Sequence, residues 1–205
     1  VFRIKSALDA FEIDQNKMDT LLTQIVRFKS NNKSERFSKR TGNIYTIRDL
    51  LDVVGVDAIR FNFLHRTPES QQEFDIDLAI KESSENPVYY IQYAYARLSS
   101  IINSVEFDYS NANFNLLKTK FETNLIETLD LFPEVVVRSA ITLQTHLITK
   151  YSLDLAKQLQ IFYENCRVLS EDIELTKARV NLVISSKIVL KNVLNLLGIN
   201  APERM

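Results

Sequence analysis

Turn-forming residues are scarce: three glycines and four prolines serve 205 residues, and tryptophan is absent. So few breakers exclude a fold of many short strands and tight turns, and favour long helices joined by few connections. The single cysteine, Cys166, excludes an internal disulfide framework and fits a reducing setting. No secretory leader and no uninterrupted apolar run of about 18 residues or more is evident, so the reading is a cytoplasmic chain without a membrane span. An excess of one charge sign is also missing. The net charge is −1, so any contact with a polyanion must come from local basic or aromatic patches rather than from a global field.

What is present is ordinary for a packed chain: 45% hydrophobic and 25% charged residues. The length allows one large domain, or a small lobe followed by a helical domain. The opening Val1-Phe2-Arg3, without methionine and inside an apolar-periodic segment, suggests that an upstream portion is missing.

Along the chain, a short helix is expected from Ile4 to Phe11, and Met18 to Phe28 mixes helix and strand signals. Lys29 to Arg48 carries six basic residues against Glu35, interleaved with Asn, Ser, Thr and Gly42, and reads as a basic, mobile loop. Thr46 caps a short helix to Leu51, Gly55 ends it, and Val56 to Leu64 forms another. The polar stretch Arg66 to Glu73 with Pro68 reads as a linker, with helices beginning near Phe74. Asn86-Pro87 starts a helix to about Ser104, since Asn accepts an orphan amide and Pro fits the first helical position. Further helices are expected at Phe114 to Leu131, Pro133 to Ile141, Thr145 to Leu169, and Glu171 to Leu197 closed by Gly198. The expected class is mostly α, an antiparallel helical bundle over 81–205 preceded by a smaller unit over 1–80.

Two features carry chemistry. Within the basic loop, Arg36-Phe37-Ser38-Lys39-Arg40 supplies cations, a hydroxyl and backbone amides, with Gly42 giving backbone freedom, as a loop closing over a triphosphate needs. Composition alone favours a solvated surface loop, since short basic clusters are common on surfaces. On the helix after Pro87, Ile91, Tyr95, Leu98 and Ile102 form the inward stripe. Tyr90, Tyr93 and Arg97 share another face, two aromatics and a cation that could stack on unpaired RNA bases. The alternative is that these tyrosines pack against a neighbouring helix.

Arg36 to Arg40 resembles the KMSKS signature of class I aminoacyl-tRNA synthetases, in the KMSKR form followed by Thr-Gly-Asn that arginyl enzymes often carry. Arg36 and Phe37 stand for the usual Lys and Met. Thr46-Ile47-Arg48-Asp49-Leu50, Gly55-Val56-Asp57-Ala58-Ile59-Arg60 and Phe74-Asp75-Ile76-Asp77-Leu78-Ala79 are similar to segments that follow the signature in arginyl-tRNA synthetases. Asn86 to Arg97 resembles their NPVYYVQYAHAR segment, with Tyr95 in place of His. Phe162 to Leu169 and Leu196 to Met205, ending in Glu203-Arg204-Met205, are similar to their closing segments. A cysteinyl synthetase, and a non-enzymatic helical module binding RNA or protein, are the alternatives. The Glu-Arg-Met ending disfavours the first.

The resemblance implies an arginine–tRNA ligase that uses ATP, with Mg, and arginine. Residues 1–80 would finish a Rossmann-like catalytic domain and a stem-contacting region, and 81–205 would bind the anticodon. It implies that Arg36, Phe37, Ser38, Lys39 and Arg40 meet ATP, with Ser38, Lys39 and Arg40 acting on its phosphates. It further implies that Tyr90, Tyr93, Arg97, Tyr163 and Met205 meet the anticodon loop of a tRNA that accepts arginine. No metal ligand, DNA or membrane partner is expected, and the chain should be a monomer. The family's HIGH element, a His-x-Gly-His arrangement, has no counterpart around His65 or His146. Both histidines are expected on helix surfaces or in polar core contacts, and the chain alone should not activate arginine.

Overall fold

The computed structural model describes residues 1–30, 33–35 and 46–205. Helix α1 (Phe2–Ala10) and an irregular stretch lead to a small sheet of β1 (Val26–Ser30), β2 (Lys33–Glu35) and β3 (Gln72–Asp75). Strand β1 is central, antiparallel to β2 and parallel to β3, with Phe28 opposite Phe74. These two rings lie 5.5 Å apart, and Phe74 is buried.

This corrects two expectations. Lys29 and Ser30 end β1, and Lys33–Glu35 form β2, so the basic stretch is not a loop throughout. Gln72–Asp75 is a strand rather than the end of a linker or the start of a helix, because Val26–Lys29 offers it a ladder from far upstream. The arrangement is stapled by Ser30 Oγ donating to the Asp77 carboxylate and by the Gln72 side chain donating to the Asn62 carbonyl.

Helix α2 (Ile47–Val54) begins on the expected Thr46, in a full capping box with Asp49. Amide and hydroxyl donation from Thr46 holds the exposed Asp49 carboxyl below its ordinary range. Gly55, at φ 83°, separates α2 from α3 (Val56–Leu64), as the spacing predicts. One turn of helix, α4 (Ile76–Ala79), precedes the bundle.

Five longer helices follow: α5 (Pro87–Asn103), α6 (Lys120–Asp130), α7 (Phe132–Thr142), α8 (His146–Asn165) and α9 (Ile173–Leu197). Asn86 caps α5 by accepting from the Val88 amide, and its Nδ2 reaches back to the Ala79 and Lys81 carbonyls, joining α4 to α5. Thr119 starts α6 in a second capping box, so the expected helix from Phe114 is a separate 3₁₀ turn over Phe114–Leu116 followed by a break. Helix α8 ends four residues short of Leu169, where Cys166 turns extended. Gly198, at φ 65°, closes α9 in a Schellman arrangement: Ile199 N–H bonds the Leu194 carbonyl and Gly198 N–H that of Asn195.

Helix α5 packs on α8 and α9, and α8 also receives α6 and α7. The core runs from Phe61 and Phe74 through Ile91, Tyr95 and Leu98 to Leu155, Leu159, Phe162, Val183, Leu190 and Leu194, so α3 and β3 share it with the bundle. Helix α9 is long and apolar enough by length and composition to cross a membrane, although charged residues interrupt it. Its buried residues, among them Val180, Val183, Leu190 and Leu194, line this core. The inward stripe of α5 is as expected: Ile91, Tyr95 and Leu98 are buried and Ile102 half-buried.

Candidate nucleic-acid interface

The five residues of the phosphate-loop expectation, Arg36, Phe37, Ser38, Lys39 and Arg40, lie outside the described residues. The other five stand on the bundle, and the fold divides them.

Arg97 and Tyr163 are brought together from α5 and α8, the guanidinium carbon lying 4.9 Å from the centre of the tyrosine ring. A cation over an aromatic face within about 6 Å is attractive, and it leaves the other side of the guanidinium plane free to stack. Tyr163 is half-buried, its ring tilted against Phe162 at 5.7 Å. Its hydroxyl is buried and has no hydrogen-bond partner among the described residues. Burial pushes that phenol well above its ordinary value, and Arg97 opposes the shift only in part. The hydroxyl therefore stays a neutral donor, and an unpaired buried donor gains a full hydrogen bond from any acceptor that reaches it.

Tyr93 is 46% exposed, and its ring stacks nearly parallel on that of Tyr89, at 6.3 Å and 10°. The pair arises because residues four apart on a helix are neighbours. Tyr93 and Arg97 are likewise one turn apart, about 6 Å along the axis, so an aromatic face and a guanidinium stand side by side on a rigid support.

Tyr90 departs from the expectation of an exposed face. It is half-buried and packs against the core cluster, and burial, followed by the Glu164 charge, raises its phenol. Tyr93 is therefore the exposed ring of this face, stacked on the half-buried Tyr89. The four-residue spacing of Tyr89 and Tyr93 was the signal for that pair. Met205 is 53% exposed, and no hydrogen bond, ion pair or ring contact among the described residues joins it to the other four.

Other polar clusters were not legible. Asp57, Gln92 and Asn200 meet in one hydrogen-bonded ring. Glu122 and Arg179 form a buried ion pair at 2.7 Å. Lys187 lies 5.3 Å over the Tyr95 ring and 3.1 Å from Glu203, so the tyrosine in the position where the resemblance expects His is buried and carries a cation on its face. His65 stacks on Phe61 and lies 3.3 Å from Thr149 Oγ1, a polar contact at the edge of the core as expected. Desolvation, then the charges of Arg66 and His146, holds its pKa below the ordinary value.

Comparison with known proteins places this geometry. The profile of the DALR anticodon binding domain matches residues 91–205. The arginine–tRNA ligase of Dehalococcoides mccartyi strain BAV1 is 44% identical over 208 residues, which include all of this chain and 37% of that protein. That of Acetivibrio thermocellus is 44% identical over 209 residues, covering 99% of this chain and 37% of its own length. Among solved structures, one assigned to an arginyl-tRNA synthetase of Campylobacter jejuni superposes with a TM-score of 0.81 at 27% identity, over 99% of this chain and 44% of that one. The Thermus thermophilus arginyl-tRNA synthetase does so with 0.65 at 30%, over 82% and 29%. The chain thus spans little more than a third of the length of the curated relatives it matches. With its exposed aromatic and guanidinium face on the opening helix of a matched bundle, the chain belongs to the DALR anticodon binding domain family, in the form found in the C-terminal part of arginine–tRNA ligases.

Proposed function

We propose that this chain is the tRNA-reading part of an arginine–tRNA ligase, which in the whole protein uses ATP, with Mg, to attach arginine to its tRNA in the cytoplasm. Residues 81–205 dock the anticodon loop and residues 1–80 complete the catalytic domain. The observation that carries this reading is the Arg97–Tyr163 stack beside the exposed Tyr93, on the first helix of the matched bundle.

Anticodon bases are unstacked and single-stranded, so they are read by stacking on aromatic and guanidinium planes and by hydrogen bonds to their edges. Tyr93 supplies an exposed ring and Arg97 a guanidinium already held over the Tyr163 ring. The Tyr163 hydroxyl supplies an unused donor, Tyr90 backs this face from the core side, and Met205 adds an apolar contact. In the reaction, the arginine carboxylate attacks the α-phosphorus of ATP and displaces pyrophosphate, and a ribose hydroxyl of the tRNA then takes the arginyl group from AMP. Arg36, Phe37, Ser38, Lys39 and Arg40 form the loop over ATP. Lys39 and Arg40 neutralise the charge that grows on the leaving pyrophosphate and Ser38 donates a hydrogen bond to it, the point at which fixed cations and donors lower the barrier most.

The test is titration of the chain with an arginine-accepting tRNA, with the same tRNA altered at its middle anticodon base, and with a Tyr93→Ala variant. One lost base stack, ~1–3 kcal/mol, weakens binding about 5- to 150-fold. Equal binding of both tRNAs by the unaltered chain, or no loss in the variant, overturns the reading.

A further inference from the structure

The last residues of the chain are tied to α3, outside the matched domain, by a ring of hydrogen bonds. The Asn200 backbone N–H donates to Asp57 Oδ1 at 3.2 Å, and its Nδ2 lies 3.2 Å from each carboxylate oxygen. Gln92, on α5, closes the ring: its Nε2 donates to Asp57 Oδ2 at 2.8 Å and to the Asn200 carbonyl at 2.9 Å. One turn along α3, the Arg60 guanidinium occupies the space at Gly198 where a Cβ would stand, its Nη1 only 2.5 Å from that point. Three residues beyond Asn200, Glu203 pairs with Lys187 of α9. The chain end is therefore bonded at Asn200 and Glu203, with Arg60 packed close against Gly198.

Burial alone does not account for this ring. Ile199 is buried and fastens the backbone apolarly, whereas Asn200 is exposed and still has its amide, side chain and carbonyl all engaged. The ring also adjoins the aromatic face, since Tyr89, the stacking partner of Tyr93, lines the same cleft of about 460 Å³ as Asp57, Gln92 and Asn200.

We propose that Asp57 is a positioning residue for tRNA recognition: its carboxylate holds Asn200, and through it the segment to Met205, in the place from which the chain end meets the anticodon loop. The inference rests on the anticodon reading above. Asp57 touches no RNA itself; it acts through the strand it holds. Without it Asn200 keeps only the Gln92 bond to its carbonyl, the closing segment is held less firmly, and the contact made by Met205 becomes entropically costlier to form.

The experiment compares the unaltered chain with Asp57→Ala, Gln92→Ala, Met205→Ala and the Asp57→Ala/Met205→Ala double variant. Hydrogen exchange at the Asn200 amide, thermal unfolding, and affinity for the arginine-accepting tRNA are read in each. The Gln92→Ala variant leaves α3 intact and opens the ring from the other side. Asp57→Ala is expected to speed exchange at Asn200 more than tenfold and to weaken tRNA binding about tenfold. Met205→Ala, which weakens binding in the unaltered background, should have less than a twofold effect once Asp57 is gone. Such non-additivity is the mark of one residue acting through another, and a purely structural role would instead lower the unfolding temperature with additive effects on binding. Full additivity, or tRNA binding unchanged in Asp57→Ala, overturns the proposal. Failure of the unaltered chain to distinguish the two tRNAs overturns the anticodon reading instead, and is seen without any Asp57 variant.

Discussion

Replacing Arg179 by methionine tests the electrostatic reasoning about the bundle most directly. Glu122 is 0% exposed, and its carboxylate is held on every side. One oxygen accepts from the Thr119 amide and hydroxyl at 2.8 Å, and the other from Arg179 Nε at 2.7 Å, while Arg179 Nη1 donates to the Arg167 carbonyl. Burial pushes the carboxyl up, but the bonds from Thr119 and Arg179 outweigh it and hold it below its ordinary range. Arg179→Met keeps the volume and removes the charge, leaving a carboxylate out of water with only its cap. Removing one partner of a buried pair costs ~3–5 kcal/mol, and the surviving Thr119 bonds place the loss near ~3 kcal/mol, a large share of the ~5–15 kcal/mol of a typical domain.

The pH dependence fixes the sign. In the unaltered chain the lowered carboxyl contributes stability above its unfolded value, and this is lost as pH falls through the lower folded value. In the variant, burial acts with less opposition and raises the carboxyl, so protonation relieves the strain. The deficit, measured by urea unfolding, should shrink as pH falls below about 5. Adding Glu122→Gln, which keeps the capping geometry without charge, should restore most of the loss. A deficit under ~1 kcal/mol at neutral pH, the value of an exposed pair, or one constant between about pH 7 and pH 4, refutes the argument.

Two further outcomes follow from the same structure. Gly198→Ala must hold a Cβ at φ 65° and push Arg60 aside, so it should cost more than the ~1–2 kcal/mol of the left-handed conformation alone; Arg60→Ala in that background should return part of it in thermal melts, and no return would mean the close approach is harmless. Leu155→Ala, at a fully buried position on α8, should cost ~2–5 kcal/mol in denaturant unfolding without changing tRNA discrimination, whereas a change in discrimination would show that core and interface are coupled.

Much of the helical frame was legible because its determinants are local. Thr46, Asn86 with Pro87, and Gly198 mark helix ends through bonds that reach at most five residues, and they do so in the structure. The periodicity of Ile91, Tyr95 and Leu98 likewise identified the buried side of α5, because a 3.6-residue repeat needs no partner to be recognised. The four-residue step from Tyr89 to Tyr93 is a signal of the same kind.

What the tertiary structure alone decided depends on contacts that no local rule spans. Gln72–Asp75 is a strand because β1 lies beside it, and Tyr90 is half-buried because α8 crosses there. Glu122 meets Arg179 across 57 residues and Asp57 meets Asn200 across 143, and nothing in the spacing of either pair anticipates the meeting. The sequence by itself determined most of the long helices, the caps of α2, α5 and α9, and which face of α5 turns inward, since these rest on hydrogen bonds and periodicities within about a turn. The tertiary structure decided which polar groups are buried together and how the chain end is held, since burial and long-range pairing exist only once the helices pack.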